Sequence, residues 1–191
     1  NCSMERFIAA KLIAQNMKLQ SCDGGQVRWI QSEFENLRVE DCAWSQAAWS
    51  HSQWTNGGIA RSNLASVCFD HASLVNIHVV ACDLSRAMFD HACLEDCDLT
   101  GMQAPGVSFR DAKLHRISLR DACLTALDAR GATLDEVDLT NAQCESGNLM
   151  GHTPDAWRMT HHKNACFVDH RAIDDQAWWT KNQPGPRSVL G

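Results

Sequence analysis

Three histidines, His51, His71 and His91, are spaced twenty residues apart, and their type and spacing could support chemistry. Imidazole is a common ligand for transition metals, and the neighbouring Asp70 or Asp90 could complete a divalent site. The alternative is that repeat duplication copied an Asp-His-Ala triplet and left three solvated side chains. We favour this alternative, so we assign no metal site and keep the three histidines as a candidate interaction surface.

A second group of ligand-type residues lies near the C-terminus: His161, His162, Cys166 and His170. Spacings of three intervening residues could bring such side chains to one face of a helix. The group lacks the paired Cys-x-x-Cys elements of common zinc sites. We therefore expect neither a metal nor another cofactor in this chain.

Sequence motifs of catalysis are not found. There is no phosphate-cradling glycine loop, no nucleophile elbow and no zinc-protease helix. The acidic residues are plentiful but scattered, as on a solvated surface. The sequence therefore favours a protein that is not an enzyme.

Several of the ten cysteines follow a regular spacing instead of a disulfide framework. Cys2, Cys22, Cys42 and Cys82 lie at multiples of twenty residues, and Ser62 fills the gap. Their positions indicate small buried side chains. We therefore expect free thiols and a reducing compartment.

The spacing of twenty belongs to a shorter rhythm, because every fifth residue from Trp29 to Leu149 is apolar. We call these the central positions. Two residues earlier is a small position, mostly Ala, Cys, Val, Ser or Gly, and two residues later is a corner position, which includes the three histidines. A period of five fits neither a helix nor a strand, so it indicates a repeat architecture.

The motif is clearest in Ala72-Ser73-Leu74, Cys82-Asp83-Leu84 and Cys97-Asp98-Leu99. It resembles the pentapeptide-repeat family, and the resemblance extends over about four-fifths of the chain. The resemblance implies an all-β fold, a right-handed quadrilateral β-helix of about eight coils over residues 1–151. The central and small residues would point inward and the other three outward.

The sequence itself supports four pentapeptides per coil, because Phe69, Phe89 and Phe109 lie twenty residues apart in line with two tryptophans. Residues twenty apart would then stack about 4.8 Å from each other. Trp44, with Trp49 and Trp54, overfills one coil, so we expect distortion or widening near residues 40–60. At Gly24 no bulky residue points inward, which predicts a bulge or a tight bend.

The two ends depart from the repeat. Residues 152–182 are predicted to form a small C-terminal cap of short helices, in which Trp178 and Trp179 add to the candidate interaction surface. Residues 183–191 are predicted to be a disordered tail. The N-terminal repeats have no predicted cap, so we expect either an upstream domain or a homodimer through this uncapped end.

The net charge and the charge pattern argue against some classes of function. The net charge of −6 argues against direct nucleic-acid binding, and no apolar run is long enough to span a membrane. The resemblance implies one well-characterised activity, mimicry of duplex DNA by an acidic rod that binds DNA gyrase and confers quinolone resistance. Here basic residues interrupt the acids, and His115, Arg116 and Ser118 separate two acidic groups. These groups are Glu95, Asp96 and Asp98, and Asp135, Glu136 and Asp138.

We therefore expect a non-catalytic protein-interaction or scaffold module with an unknown protein partner. It would be part of a larger bacterial protein, secretion-associated or effector in type. The protein would be cytoplasmic, or delivered from the cytoplasm by a secretion system. The alternative is a DNA-mimicking regulator of gyrase.

Overall fold

The structure is a computed structural model that describes residues 2–4 and 6–148. The expected cap at residues 152–182, with Trp178 and Trp179, and the expected tail at 183–191 lie outside the described residues. So does the second group of ligand-type residues around Cys166.

The described residues form an all-β parallel solenoid, as expected. Its strands are β1 (Cys2–Ser3), β2 (Ile8–Ala10), β3 (Ile13–Gln15), β4 (Lys18–Gln20), β5 (Cys22–Asp23), β6 (Arg28–Ile30), β7 (Glu33–Glu35), β8 (Arg38–Glu40), β9 (Gln53–Ala60), β10 (Ser73–Val80), β11 (Cys93–Glu95), β12 (Lys113–His115) and β13 (Thr133–Asp135). Single-residue bridges continue the same ladders where no strand is assigned.

Every pairing is parallel and joins residues twenty apart, so one coil takes four pentapeptides. The four faces are visible in the pairs Cys2–Cys22, Ile8–Arg28, Ile13–Glu33 and Lys18–Arg38. On the first face, bridges link Asp23 step by step to Gln143. Four repeats per coil are thus confirmed.

The backbone ties each coil to both neighbours. At His51, for example, the N–H donates to the carbonyl oxygen of Asp70 in the next coil at 2.9 Å. The N–H of Arg28 donates to Phe7 in the preceding coil at 2.8 Å. Because such bonds recur from coil to coil along the described residues, the outward positions are held at a fixed spacing.

The core is one column of inward side chains, and the central and small positions supply it. Trp49, Phe69, Phe89 and Phe109 stack along one face with ring centroids 5.0–5.1 Å apart. Trp44 and Trp54 pack beside this stack and are 0–1% exposed. Stacked aromatic pairs contribute about 0.5–1.5 kcal/mol each beyond the area they bury.

Cysteine and serine at the small position have a structural role. The thiols of Cys42 and Cys82 donate to backbone carbonyls two residues earlier at 3.2 and 3.3 Å, and the Ser62 hydroxyl does so at 2.8 Å. Cys97 lies in the same kind of site, where burial raises the pKa of its thiol to about 11. These cysteines are free and buried, which keeps them unreactive.

Of the two alternatives expected at Gly24, the bulge is not found, whereas a tight turn is present, because the N–H of Val27 donates to the carbonyl oxygen of Gly24 at 2.9 Å. Asp23 pairs in regular register with Ser3 and Ala43. The Trp44 ring of the next coil fills the space at Gly24, since a Cβ built there would lie 2.6 Å from the indole Nε1. The sequence prediction considered only the side chains of this repeat. The side-chain volume that the repeat lacks is supplied by Trp44 of the next coil.

Adjacent coils share interior volume, and this also explains why the tryptophan-rich coil keeps its register. Pairing by twenty residues continues unbroken through residues 43–60, so the expected distortion does not reach the ladder. Gly57 provides a further compensation, because a Cβ there would lie 2.9 Å from the carbonyl oxygen of Leu37 and 3.2 Å from Cδ1 of Ile77. The Ile77 side chain thus occupies part of the volume that this glycine leaves, and the Leu37 backbone approaches it from the preceding coil.

The first described coil is less covered than the others. Its inward residues Met4, Leu12 and Leu19 are only partly buried against the core. Phe7, at a small position, is 47% exposed. An apolar end surface is therefore open among the described residues.

Every corner position from Arg6 to Ser146 has a positive φ, and 26 of these residues are not glycine. None of them is β-branched. This fits the cost of the left-handed conformation, which is about 1–2 kcal/mol per residue with a Cβ. Three corners, at Gly101, Gly106 and Gly131, avoid that cost.

We predict that Gly101→Ala destabilises the protein by about 1 kcal/mol, because φ is +68° and no atom would obstruct the added Cβ. The reverse change at the exposed corner Ala81 (φ 53°), Ala81→Gly, should stabilise it by up to about 1 kcal/mol. Urea unfolding measures both. Equal stability of Gly101→Ala and the native protein would contradict this account of the corners.

Candidate interaction surface

The three histidines occupy corner positions on successive coils and form one row. The imidazoles of His51 and His71 are 4.8 Å apart, with ring planes within 5° of parallel. Those of His71 and His91 are 4.7 Å apart at 12°. The repeat places all three rings together, and the side chains of His71 and His91 are 47% and 48% exposed.

Carboxylates flank this histidine row. Asp70 Oδ1 lies 3.9 Å from Nε2 of His71, and Asp111 Oδ2 lies 4.0 Å from Nδ1 of His91. Asp90, the other neighbour expected from the sequence, is engaged elsewhere. It accepts hydrogen bonds from Ser108 and from the Arg110 side chain, the latter at 3.2 Å. Asp70 therefore faces the row and Asp90 does not.

The outward acids on the neighbouring corner are held by an arginine. Arg116 donates to Glu95 at 2.7 Å and to Oδ2 of Asp96 at 2.8 Å. This hydrogen bonding lowers the pKa of Asp96 below its usual 3.8 and raises the pKa of the guanidinium. His115 Nδ1, next to Arg116, lies 2.8 Å from Asp135 in the second acidic group.

Similar ion pairs occur elsewhere between adjacent coils. Arg61 binds Asp41 at 2.7 Å, and the Arg61 hydrogen bond lowers the pKa of that carboxyl. Arg120 binds Asp138 at 3.1 Å. Sequence reasoning missed this arrangement, although opposite charges eighteen or twenty residues apart were its signal. Much of the acidic surface is therefore neutralised internally, and the interruption of the negative stripe expected around Arg116 is present.

An open notch of about 300 Å³ lies on another face, where Gly57 and Gly58 present no side chain. Its walls include Arg38, Glu40 and His78. The sequence signal was the glycine pair itself, which was not singled out. The notch is shallow, and it adds a second place where a partner's side chain could rest.

Among the described residues, no helix is long and apolar enough to cross a membrane.

Arg116→Gln tests the corner ion pair, and we expect it to destabilise the protein near neutral pH. The pKa of Asp96 is lowered in the folded state, so its contribution is present above the ordinary pKa of 3.8 and is lost as the pH falls through the folded value. The difference in unfolding free energy should thus be fully present near pH 7 and should shrink as the pH falls below 3.8.

Arg86→Gln is the matched control, because Arg86 is another exposed corner arginine and no ion pair is found for it within the described residues. A destabilisation by Arg116→Gln that persists unchanged in acid would contradict the ion-pair explanation.

Comparison with known proteins agrees with this architecture. A family model for pentapeptide repeats matches residues 62–101 with eight copies, and no curated protein matches the chain. A trypsin-treated variant of QnrB1, a plasmid-mediated fluoroquinolone resistance protein, is similar in structure. It is 15% identical with a TM-score of 0.54, and the match covers 89% of this chain and 91% of that one.

A pentapeptide repeat protein from the thylakoid lumen of Arabidopsis thaliana is 28% identical. Its TM-score is 0.42, and the match covers 57% of this chain and 74% of that one. At 15% identity, the likeness to QnrB1 shows the fold alone. With eight matched repeats at residues 62–101 and a coil of four pentapeptides through the described residues, the chain carries pentapeptide repeats and has the β-helix fold of pentapeptide-repeat proteins.

Proposed function

We propose that the chain is a non-catalytic protein-interaction module and that its histidine row contacts the partner. The observation that carries this proposal is the parallel stack of His51, His71 and His91 on three successive coils. The row is half-exposed and rests on a backbone whose hydrogen bonds fix its spacing. A partner can therefore bind it without paying to order a loop.

The charge distribution supports this choice of surface. Outward carboxylates such as Asp41, Asp96 and Asp138 are already bound by arginines of neighbouring coils. The histidine row has carboxylates at its edges, and no arginine or lysine contacts its rings within the described part of the chain. Imidazole rings offer a partner both a flat face and ring nitrogens that donate or accept hydrogen bonds.

The module would act within a larger bacterial protein of the secretion-associated or effector type, in the cytoplasm or after delivery from it. A homodimer through the N-terminal end remains part of the proposal. The half-exposed Phe7 and the partly buried Met4 support it, because a second copy would remove this apolar surface from water.

The alternative is regulation of DNA gyrase by DNA mimicry. The fold shared with QnrB1 is compatible with it. Mimicry requires a long surface of uncompensated negative charge that matches the spacing of phosphates. Arg116, Arg61 and Arg120 neutralise carboxylates along the coil, which favours the interaction module.

The proposal predicts a specific partner that depends on the row. The full-length protein should bind a specific partner protein from an extract of its source organism. The two proteins should also bind each other when both are purified. A triple variant, with asparagine at His51, His71 and His91, should lose it, because asparagine tolerates the left-handed corner but lacks the ring.

Arg86→Asn serves as the matched control, since Arg86 is also an exposed corner residue but lies on another row (φ 58°). Retention of the partner by the triple variant would contradict the proposed surface. A supercoiling assay with purified gyrase tests the alternative: we expect no inhibition at micromolar protein, and inhibition would overturn the proposal in favour of gyrase regulation.

A further inference from the structure

We propose that Asp70, His71 and His91 bind a divalent transition-metal ion, for which Zn²⁺ is the probe. This goes beyond the proposed function, because metal binding is a property of the chain without any partner. The three side chains each offer one ligand atom, and these atoms all lie within 4.8 Å of one another. They come from two adjacent coils, brought together by the twenty-residue repeat.

The ligand atoms lie somewhat farther apart than a bound zinc ion requires. Zinc holds nitrogen and oxygen ligands at about 2.0–2.2 Å, which places ligand atoms about 3.3–3.5 Å apart in a tetrahedron. The Nε2 of His71 lies 3.9 Å from Asp70 Oδ1. Half-exposed side chains can close the remaining gap by rotation about their χ angles, without movement of the backbone.

The backbone beneath the site is fixed. The N–H of His71 donates to the carbonyl oxygen of Asp90 at 3.0 Å, and that of His91 donates to Arg110 at 2.8 Å. Both residues share the left-handed conformation, with φ of 56° and 57°. The two imidazoles start on adjacent coils with nearly parallel planes, and they must rotate out of this stack to direct their in-plane nitrogen lone pairs at one ion.

The donor set selects the class of ion. Two imidazoles and a carboxylate suit zinc, nickel or copper, whereas magnesium and calcium prefer oxygen ligands. Three protein ligands with a fourth position for water are typical of open zinc sites. The site lies at the surface, so the ion can enter directly from solvent.

The side chains around the proposed metal site differ in whether they can act as ligands. Asp90 is held by Arg110 and Ser108, so it does not compete for the ion. Asp111 lies beyond His91, and its Oδ2 is 4.0 Å from the His91 Nδ1, which is longer than a hydrogen bond. His51 stacks on the other side of His71 at 4.8 Å but is not part of the cluster.

Calorimetric titration of the full-length protein with Zn²⁺, under reducing conditions, tests the assignment. In a background variant, serine replaces the four C-terminal ligand-type residues, so that these cannot bind zinc. They are His161, His162, Cys166 and His170. We expect this variant to bind zinc at one site. His71→Asn and Asp70→Asn should each weaken that binding roughly tenfold or more.

His51→Asn is the matched control, because it makes the same change at the same kind of corner in the same row. It should leave the affinity nearly unchanged. An equal loss with His51→Asn would overturn this choice of ligands. Zinc binding that disappears in the background variant, or that survives His71→Asn, would overturn the site itself.

Discussion

The interior of each coil is a narrow column, and adjacent coils share its volume at a spacing of about 4.8 Å. A residue at a central position therefore packs against the residues twenty positions before and after it as closely as against its own pentapeptide. The Trp44 ring fills the space above Gly24, and the Ile77 side chain approaches Gly57. Four core tryptophans, Trp29 among them, bury an indole N–H that has no hydrogen-bond partner within the described residues, so packing alone holds them there.

The same spacing organises the outside. Because the coils do not slip, residues twenty apart face each other at every outward position, and their side chains form rows. In one row Asp41 meets Arg61, in another Asp96 meets Arg116, and at a third corner three imidazoles stack. Surface chemistry in this fold is thus a consequence of core packing, since the volume filled inside fixes the register outside.

The period of five and the cysteines spaced by twenty are local signals, so the coil of four pentapeptides could be predicted from the sequence. The placement of the histidine row followed directly from it. The bulge considered at Gly24 is not found because the missing volume is supplied by Trp44, a residue twenty positions away that a repeat-by-repeat reading ignores. The choice between Asp70 and Asp90 beside the histidines depended on competition from Arg110, which only three-dimensional contacts reveal.

A double-mutant cycle between Gly24 and Trp44 tests the shared column most directly. Gly24→Leu alone should destabilise the protein by about 1–3 kcal/mol, because the added side chain collides with the indole. Trp44→Leu alone should cost about 2–4 kcal/mol by opening a cavity. Combined, the two leucines refill the same space, so the account predicts a stabilising coupling free energy of about 2 kcal/mol or more in urea unfolding. Additive costs, with a coupling below about 0.5 kcal/mol, would contradict it.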